Sequence, residues 1–123
     1  MISGQVVAGR EAIIPLTLQN TQGQVVTLDA VVDTGFTGFL ALPLPEIAQL
    51  GFPYQGLIDA RLGNGQPAEF DMFASVVLWD GQVRTGIVLA ADGMPLVGMA
   101  LLRGSRLCLD IMDGGSVTIE PLP

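Results

Sequence analysis

Hydrophobic and polar residues alternate along much of the chain, with the two-residue period of strands that bury one face. Residues 12–18, for example, place Ile14, Leu16 and Leu18 on one face. Glycine, asparagine and aspartate interrupt the alternation at short intervals, as hairpin turns require. The pattern predicts strands over residues 5–8, 12–18, 24–32, 39–42, 55–62, 68–79, 82–91, 106–112 and 116–120. Many short strands at nearly regular spacing predict an all-β fold, a small barrel.

Two short helices are predicted beside the strands. Residues 45–50 begin with Pro45 and end before Gly51, which is the usual placement of proline and glycine around a helix. Residues 99–103 are predicted to form a single helical turn. Pro15 has no backbone N–H, so it predicts an edge or bulged position for its strand. The length predicts one domain covering residues 1–123.

The composition excludes several kinds of chemistry. The formal net charge is −7, which disfavours binding to nucleic-acid phosphates. The absence of histidine excludes Ser-His and Cys-His pairs, and the absence of lysine excludes phosphate-binding lysine loops and Schiff bases. Cys108 lies in an apolar stretch, so we expect a core residue rather than a nucleophile. Carboxylates are the main acid–base groups that remain.

The chain is apolar on average, with a mean hydropathy of +0.55. Its most apolar region, residues 86–102, is interrupted by Asp92, Gly93 and Pro95, so no membrane-spanning helix is expected. Residues 1–4 lack the basic start of a secretory signal. The sequence therefore predicts a cytoplasmic protein without membrane contact.

One aspartate stands between two apolar runs. Val31 and Val32 lead into Asp33-Thr34-Gly35, and a second apolar run follows at residues 39–42. A carboxylate in such surroundings is costly to desolvate unless neighbouring groups bind it. Thr34 supplies a hydroxyl, and Gly35 permits a close approach of the backbone. The alternative is an ordinary turn capped by Asp33, but turns favour polar flanks and both flanks are apolar.

The segment Val31-Val32-Asp33-Thr34-Gly35 resembles the active-site loop of aspartic proteases, and the extension Phe36-Thr37-Gly38 resembles that of small prokaryotic retropepsin-like members. The sequence Leu96-Val97-Gly98 fits the second motif of that family. The resemblance implies a closed barrel of the retropepsin-like acid protease type, and neither a metal nor an organic cofactor. It implies that Asp33 is catalytic, that Thr34 and Gly35 support its loop, and that Phe36, Leu96, Val97 and Gly98 line the substrate cleft.

The chain departs from the viral members of this family at two places. Phe36-Thr37 stands where viral enzymes usually have Ala-Asp, and Met99 stands where they have arginine. The Arg–Asp ion pair that stabilises the viral dimer is therefore missing in that form.

The glycine-rich turn Gly63-Asn64-Gly65 joins two predicted strands and is typical of a hairpin. The resemblance implies that this hairpin is the flap over the active site; the alternative is an ordinary surface hairpin. Residues 63–68 also match a dinucleotide-binding fingerprint, which requires a helix directly afterwards. The alternating residues 68–74 predict a strand there instead.

A single Asp-Thr-Gly per chain supplies one carboxylate, and acid–base hydrolysis of a peptide bond needs two. The sequence therefore predicts a homodimer with Asp33 of each copy at the two-fold axis, acting as an aspartic endopeptidase on a peptide or protein substrate. Residues 5–7 and 117–119 are candidate interface strands. The alternatives are a non-catalytic peptide-binding or dimerisation domain on the same barrel, and a structural barrel in which Asp33 only caps a turn.

Overall fold

The computed structural model describes residues 1–61 and 64–123. Ten strands and two short helices make up the described chain, and together they confirm the predicted all-β class. The elements are β1 (Ile2–Val7), β2 (Glu11–Gln19), β3 (Val25–Val32), β4 (Leu40–Leu42), α1 (Leu44–Leu50), β5 (Tyr54–Arg61), β6 (Pro67–Trp79), β7 (Gln82–Ala90), β8 (Leu96–Val97), α2 (Met99–Leu102), β9 (Ser105–Leu109) and β10 (Ser116–Pro121).

Six of the strands form a closed ring in the order β6, β7, β4, β8, β3 and β2. The ring closes where Thr17 and Leu18 of β2 pair with Leu78 and Val77 of β6. Closure of a sheet removes its exposed edges and encloses a core of inward-facing side chains. The predicted small barrel is therefore confirmed.

The other four strands extend this ring on two sides. β5 pairs with β6, and β1, β10 and β9 follow β2 in that order. The first half of β2 pairs with β1 and its second half with β6, so β2 leaves one neighbour for the other between Ile13 and Thr17. Pro15 lies in that gap. The prediction of an edge strand was wrong for β2 as a whole, because β3 pairs with one side of it and β1 and β6 share the other side. Pro15, which has no N–H, lies where neither β1 nor β6 pairs with β2.

The core consists of the inward faces of the alternating strands together with both helices. Along β2, Ile14, Leu16 and Leu18 are at most 1% exposed, as the alternation predicted. α1 ends at Gly51, which has a φ of +71° and closes the helix in the left-handed conformation that favours glycine. Cys108 was expected in the core and is exposed instead. It lies on β9, a strand paired only on one side.

The two candidate interface strands, residues 5–7 and 117–119, are central strands of the flanking sheet. β1 pairs with β2 and β10, and β10 pairs with β1 and β9, so both strands are paired on each side. Val6, Val117 and Ile119 are at most 2% exposed. Contact of these strands with a partner therefore stays a prediction, and the chain itself pairs them with each other.

The hairpin of β5 and β6 projects beyond the ring. β7 pairs with β6 only from Met72 onward, whereas β5 continues along β6 to Pro67. Within residues 1–61 and 64–123, residues 67–71 therefore have a strand on one side only. No helix in the described residues is long and apolar enough to span a membrane.

Candidate active site

Asp33 lies directly after β3, at the point where β3 and β8 run side by side. Val31 and Val32 pair with Leu96 and Val97 in a parallel register, and the Asp33 N–H donates to the Val97 carbonyl at 2.9 Å. The two motifs found in the sequence are thus adjacent in space. β-Branched residues lead into Asp33 on a strand whose inward side chains pack against the core, so its backbone is fixed.

The loop after Asp33 is a tight turn. The Phe36 N–H donates to the Asp33 carbonyl at 3.1 Å, and the Gly35 N–H donates to Asp33 Oδ1 at 3.0 Å. These bonds orient the carboxylate, and Oδ2 accepts no hydrogen bond from the described residues. The carboxylate is half-buried, so it is open to water or to a bound molecule. The turn expected if Asp33 were only a turn cap is therefore present. It leaves Oδ2 of Asp33 available to another group.

The second motif anchors the loop from the other side. The Met99 N–H donates to the Phe36 carbonyl at 2.8 Å, and the Ala100 N–H donates to the Gly38 carbonyl at 3.1 Å. A Cβ on Gly98 would lie 2.7 Å from the Phe36 ring, so this position has room only for glycine. The start of α2 is therefore bonded to the Asp33 loop through backbone groups and close packing.

The other predicted site residues divide into exposed and buried ones. Thr34 is exposed, and its hydroxyl forms no hydrogen bond with the described part of the chain. Phe36 and Leu96 are half-buried beside the loop, where they can still contact a ligand. Val97 is fully buried in the core, so its side chain does not line a cleft. Its carbonyl contributes to the site by accepting the hydrogen bond from the Asp33 N–H.

The predicted flap is described in part. Gly63 lies outside the described residues. Asn64 Oδ1 accepts a hydrogen bond from the Gln66 N–H at 3.0 Å, and Gly65 has a φ of +83°, as a glycine-rich turn predicts. The strand that follows, β6, rules out the helix that a dinucleotide-binding site needs, so that alternative is excluded.

The solved structures that match the chain include two proteases. No protein-family model and no curated protein sequence matches the chain. A retropepsin-like aspartic protease from Rickettsia conorii matches with a TM-score of 0.54 and 21% identity, over 95% of this chain and 88% of that one. The simian foamy virus (mac) protease matches with a TM-score of 0.49 and 18% identity, over 72% of this chain and 90% of that one. The chain has a retropepsin-like fold.

The retropepsin-like fold has a brace here that the sequence did not suggest. Arg84 of β7 donates from Nη1 to the carbonyls of Leu101 (2.7 Å) and Arg103 (3.3 Å), at the end of α2. Its guanidinium also lies over the ring of Trp79, 5.8 Å from the centroid. The last carbonyls of a helix have no N–H partner within the helix, and Arg84 supplies a donor to two of them at the end of α2. No sequence signal marks this bond, since 17 residues separate Arg84 from Leu101.

A second contact that the sequence did not suggest joins β7 to the residue before β4. A Cβ on Gly86 of β7 would lie 2.5 Å from the ring of Phe39, just before β4. Phe39 packs against the core, so the ring occupies the space that a larger residue at position 86 would need. Gly86 looks like an ordinary strand glycine in the sequence, and only the structure shows the ring above it.

The hairpin of this retropepsin-like fold is tied at its base. The Tyr54 hydroxyl donates to Asp71 Oδ1 at 3.0 Å, and the rings of Tyr54 and Phe73 meet edge to face with centroids 5.4 Å apart. The hydrogen bond, followed by some desolvation and the negative charge of Asp71, raises the pKa of Tyr54 above 10.0. Beyond this point Leu57 and Ile58 are exposed.

Proposed function

We propose that the chain is an aspartic endopeptidase whose catalytic dyad is formed by Asp33 of two copies. The observation that carries the proposal is the carboxylate of Asp33, which the β3–β8 junction fixes while leaving Oδ2 without a hydrogen bond from the described residues. The likeness to a retropepsin-like protease supports the fold on which such a site occurs.

Peptide hydrolysis on this site uses general acid–base chemistry. One Asp33 is ionised and takes a proton from water, while the oxygen of that water forms a bond to the peptide carbonyl carbon. The protonated Asp33 of the other copy donates to the carbonyl oxygen, and the C–N bond then breaks as the amine nitrogen takes up a proton. Two carboxyl groups in direct contact cannot both carry a negative charge, so such a dyad would hold one proton between its members.

A second copy is the best source of the second carboxylate. Three other aspartates are followed by glycine, and each lies in a connection between strands: Asp80 between β6 and β7, Asp92 between β7 and β8, and Asp113 between β9 and β10. Asp80 also binds the amino terminus. A two-fold axis beside Asp33 would bring its counterpart into contact and would also place the exposed Thr34 at the boundary between copies.

The substrate is proposed to be an extended peptide held between the Asp33 loop and the hairpin of β5 and β6. Phe36 and Leu96 would contact apolar side chains next to the cleaved bond. Residues 67–71 of β6 are paired on one side only, so the hairpin is free to close over a peptide and exclude water. We infer that residues 1–123 act as one domain in this reaction, without metal or nucleic acid.

The test compares two substitutions of the same kind on the same strand. Asp33→Asn should abolish cleavage of an unstructured reporter protein, whereas Asp29→Asn, at an exposed position of β3, should leave it unchanged. A statine peptide, which mimics the tetrahedral intermediate, should inhibit the wild type. Mixing the wild type with excess Asp33→Asn should lower its activity, because mixed dimers keep only one ionisable dyad group.

Equal cleavage by the wild type and Asp33→Asn would remove Asp33 from the reaction. Binding of the reporter without cleavage by any form would favour the non-catalytic peptide-binding domain. Thermal unfolding of both variants is the control for folding.

A further inference from the structure

The loop that carries Asp33 depends on the position of α2. The N–H groups of Met99 and Ala100, the first residues of this helix, donate to the carbonyls of Phe36 and Gly38 at 2.8 and 3.1 Å. α2 has only four residues, and one turn of helix is not stable by itself. Its position is therefore set by the groups that contact it, and a shift of α2 is passed to the Asp33 loop.

Two kinds of contact hold α2 against the barrel. Leu101 and Leu102 are 0% and 7% exposed, so their side chains attach the helix to the core. Packing of apolar side chains is not directional, whereas hydrogen bonds have a preferred length and angle. The directional contact at the end of the helix comes from Arg84, whose Nη1 donates to the carbonyls of Leu101 and Arg103. Arg84 therefore fixes the orientation of the helix end.

Arg84 is itself held in place by the sheet. It pairs with Val77 in the β6–β7 register, and its guanidinium lies over the ring of Trp79, which is 4% exposed. It forms no ion pair within residues 1–61 and 64–123. Its positive charge is directed to the two helix carbonyls, and hydrogen bonds from a charged donor are stronger than those from a neutral one.

The same strand also supports the far end of the Asp33 loop. Gly86 lies two residues after Arg84 on β7, so both face the same side of the sheet. A Cβ on Gly86 would meet the ring of Phe39, the last residue of the loop. The Phe39 carbonyl in turn accepts a hydrogen bond from the Gly98 N–H at 3.2 Å, directly before α2. One face of β7 thus contacts both the end of the loop and the end of the helix.

We propose that Arg84 is a positioning residue for the reaction at Asp33 and that it acts through α2. The inference rests on the proposed function, since it concerns the rate at which the Asp33 dyad cleaves a peptide. The guanidinium contacts helix carbonyls and Trp79, so its role is separate from proton transfer. It keeps the backbone of the Asp33 loop in the place where the carboxylate meets the peptide carbonyl, because small errors in the distance between reacting groups lower a rate steeply.

The loss of Arg84 should affect the rate more than substrate binding. The proposed peptide contacts include the β5–β6 hairpin and Leu96, and Leu96 is fixed by its strand pairing with Val31 and Ala41. These contacts remain when α2 shifts. We therefore expect kcat of Arg84→Met to fall about tenfold or more, while KM changes less than about threefold.

The experiment measures kcat and KM on the unstructured reporter protein for two Arg84 variants and two controls. Arg84→Lys keeps a charged donor for one carbonyl but not for two, so it should recover part of the kcat that Arg84→Met loses. Arg106→Met removes the same charge from an exposed pair on β9. Gly23→Val destabilises the fold at the β2–β3 turn, where Gly23 has a φ of +83°. Both controls should keep kcat within about twofold of the wild type.

Hydrogen exchange tests the coupling without an assay of activity. In Arg84→Met, the amides of Asp33, Met99 and Ala100 should exchange about threefold faster or more than in the wild type. In Gly23→Val they should exchange as in the wild type, because the turn that it changes lies away from α2.

The outcomes separate this proposal from the proposed function. Wild-type kcat in Arg84→Met, or a loss of kcat that Gly23→Val shares, would overturn the role of Arg84 and leave the proposed function standing. If Arg84→Met does not fold, Arg84→Lys carries the test alone, and a wild-type kcat in it would overturn the proposal. An inactive wild type whose Arg84→Met form exchanges faster at these three amides would support the coupling and contradict the proposed function.

Discussion

The hydroxyl of Tyr54 donates a hydrogen bond to Asp71 across the base of the β5–β6 hairpin. This pair holds the two strands together where β6 leaves the ring and where β5 has its irregular register between Tyr54 and Gly56. Tyr54 is the only tyrosine of the chain, so its ionisation can be followed without interference from another phenol.

Titration of Tyr54 should show a pKa above 10.0, because the neutral phenol donates to Asp71 and the carboxylate charge opposes ionisation. The folded protein then holds the phenol proton more tightly than the unfolded chain. The stabilisation is complete below about pH 10 and decreases as the pH rises through the pKa of the folded state. Ultraviolet absorbance of the tyrosinate measures this, and Asp71→Ala should return the pKa toward 10. An unchanged titration in that variant would contradict the assignment.

The hairpin turn can be tested with two glycines that have nearly the same φ angle. Gly65 has a φ of +83° and Gly81, in the β6–β7 turn, a φ of +82°. Valine at either position should cost about 1–2 kcal/mol or more of stability, because left-handed backbone is unfavourable for residues with a Cβ. If the hairpin closes over substrate, Gly65→Val should lower kcat/KM by about tenfold while Gly81→Val changes it little.

Hydrogen exchange gives an independent measure of the same closure. With a statine peptide bound, the amides of residues 54–61 and 64–71 should become protected, and those around Gly81 should not. Equal loss of activity in both valine variants, with no gain of protection, would make this an ordinary surface hairpin.

Gly86→Ala should destabilise the fold by about 1–3 kcal/mol, because the added methyl group overlaps the Phe39 ring. Phe39→Leu removes much of that ring and makes room for it. In the Phe39→Leu background the cost of Gly86→Ala should therefore be smaller by about 1 kcal/mol or more. Urea unfolding of the wild type, the two single variants and the double variant measures the coupling energy between positions 39 and 86. Additive effects would contradict the packing described for this pair.

Arg84→Met should lower the free energy of unfolding by about 1–3 kcal/mol, since it leaves two carbonyls at the end of α2 without their charged donor. Arg106→Met is the control. Its ion pair with Glu120 spans 3.8 Å between exposed side chains and should contribute less than about 1 kcal/mol. Similar losses in the two variants would show that Arg84 contributes no more than a surface ion pair does.

The sequence predicted the ring well because its strands bury one face and therefore alternate. Ile14, Leu16 and Leu18 show this most clearly, and the β6 alternation correctly excluded a nucleotide-binding helix. Boundaries were less accurate. The last hairpin was predicted to begin its turn after Met112, but β9 ends at Leu109, because a Met112 N–H bond to the Asp110 carbonyl already bends the chain.

The candidate site was predicted in part, for a physical reason. Asp33 and Gly98 could be recognised as candidate site residues from the sequence, because a carboxylate and a glycine are unusual within apolar runs. Arg84 and Gly86 are not, because their roles come from contacts with residues that are distant in the chain. The free edge of β9 was missed for the same reason, since pairing between β1 and β10 cannot be read from alternation alone.

The parallel pairing of β3 with β8 also has a consequence for the timing of synthesis. The carbonyl that fixes the Asp33 backbone belongs to Val97, and the backbone groups that hold its loop belong to Met99 and Ala100. A ribosome makes Asp33 long before it makes these residues, and the intervening chain cannot supply the missing bonds. A nascent chain that ends before residue 100 therefore carries an unanchored aspartate. If Asp33 hydrolyses peptide bonds as proposed, its loop becomes anchored for that reaction only after residue 100 has been made and has left the ribosome.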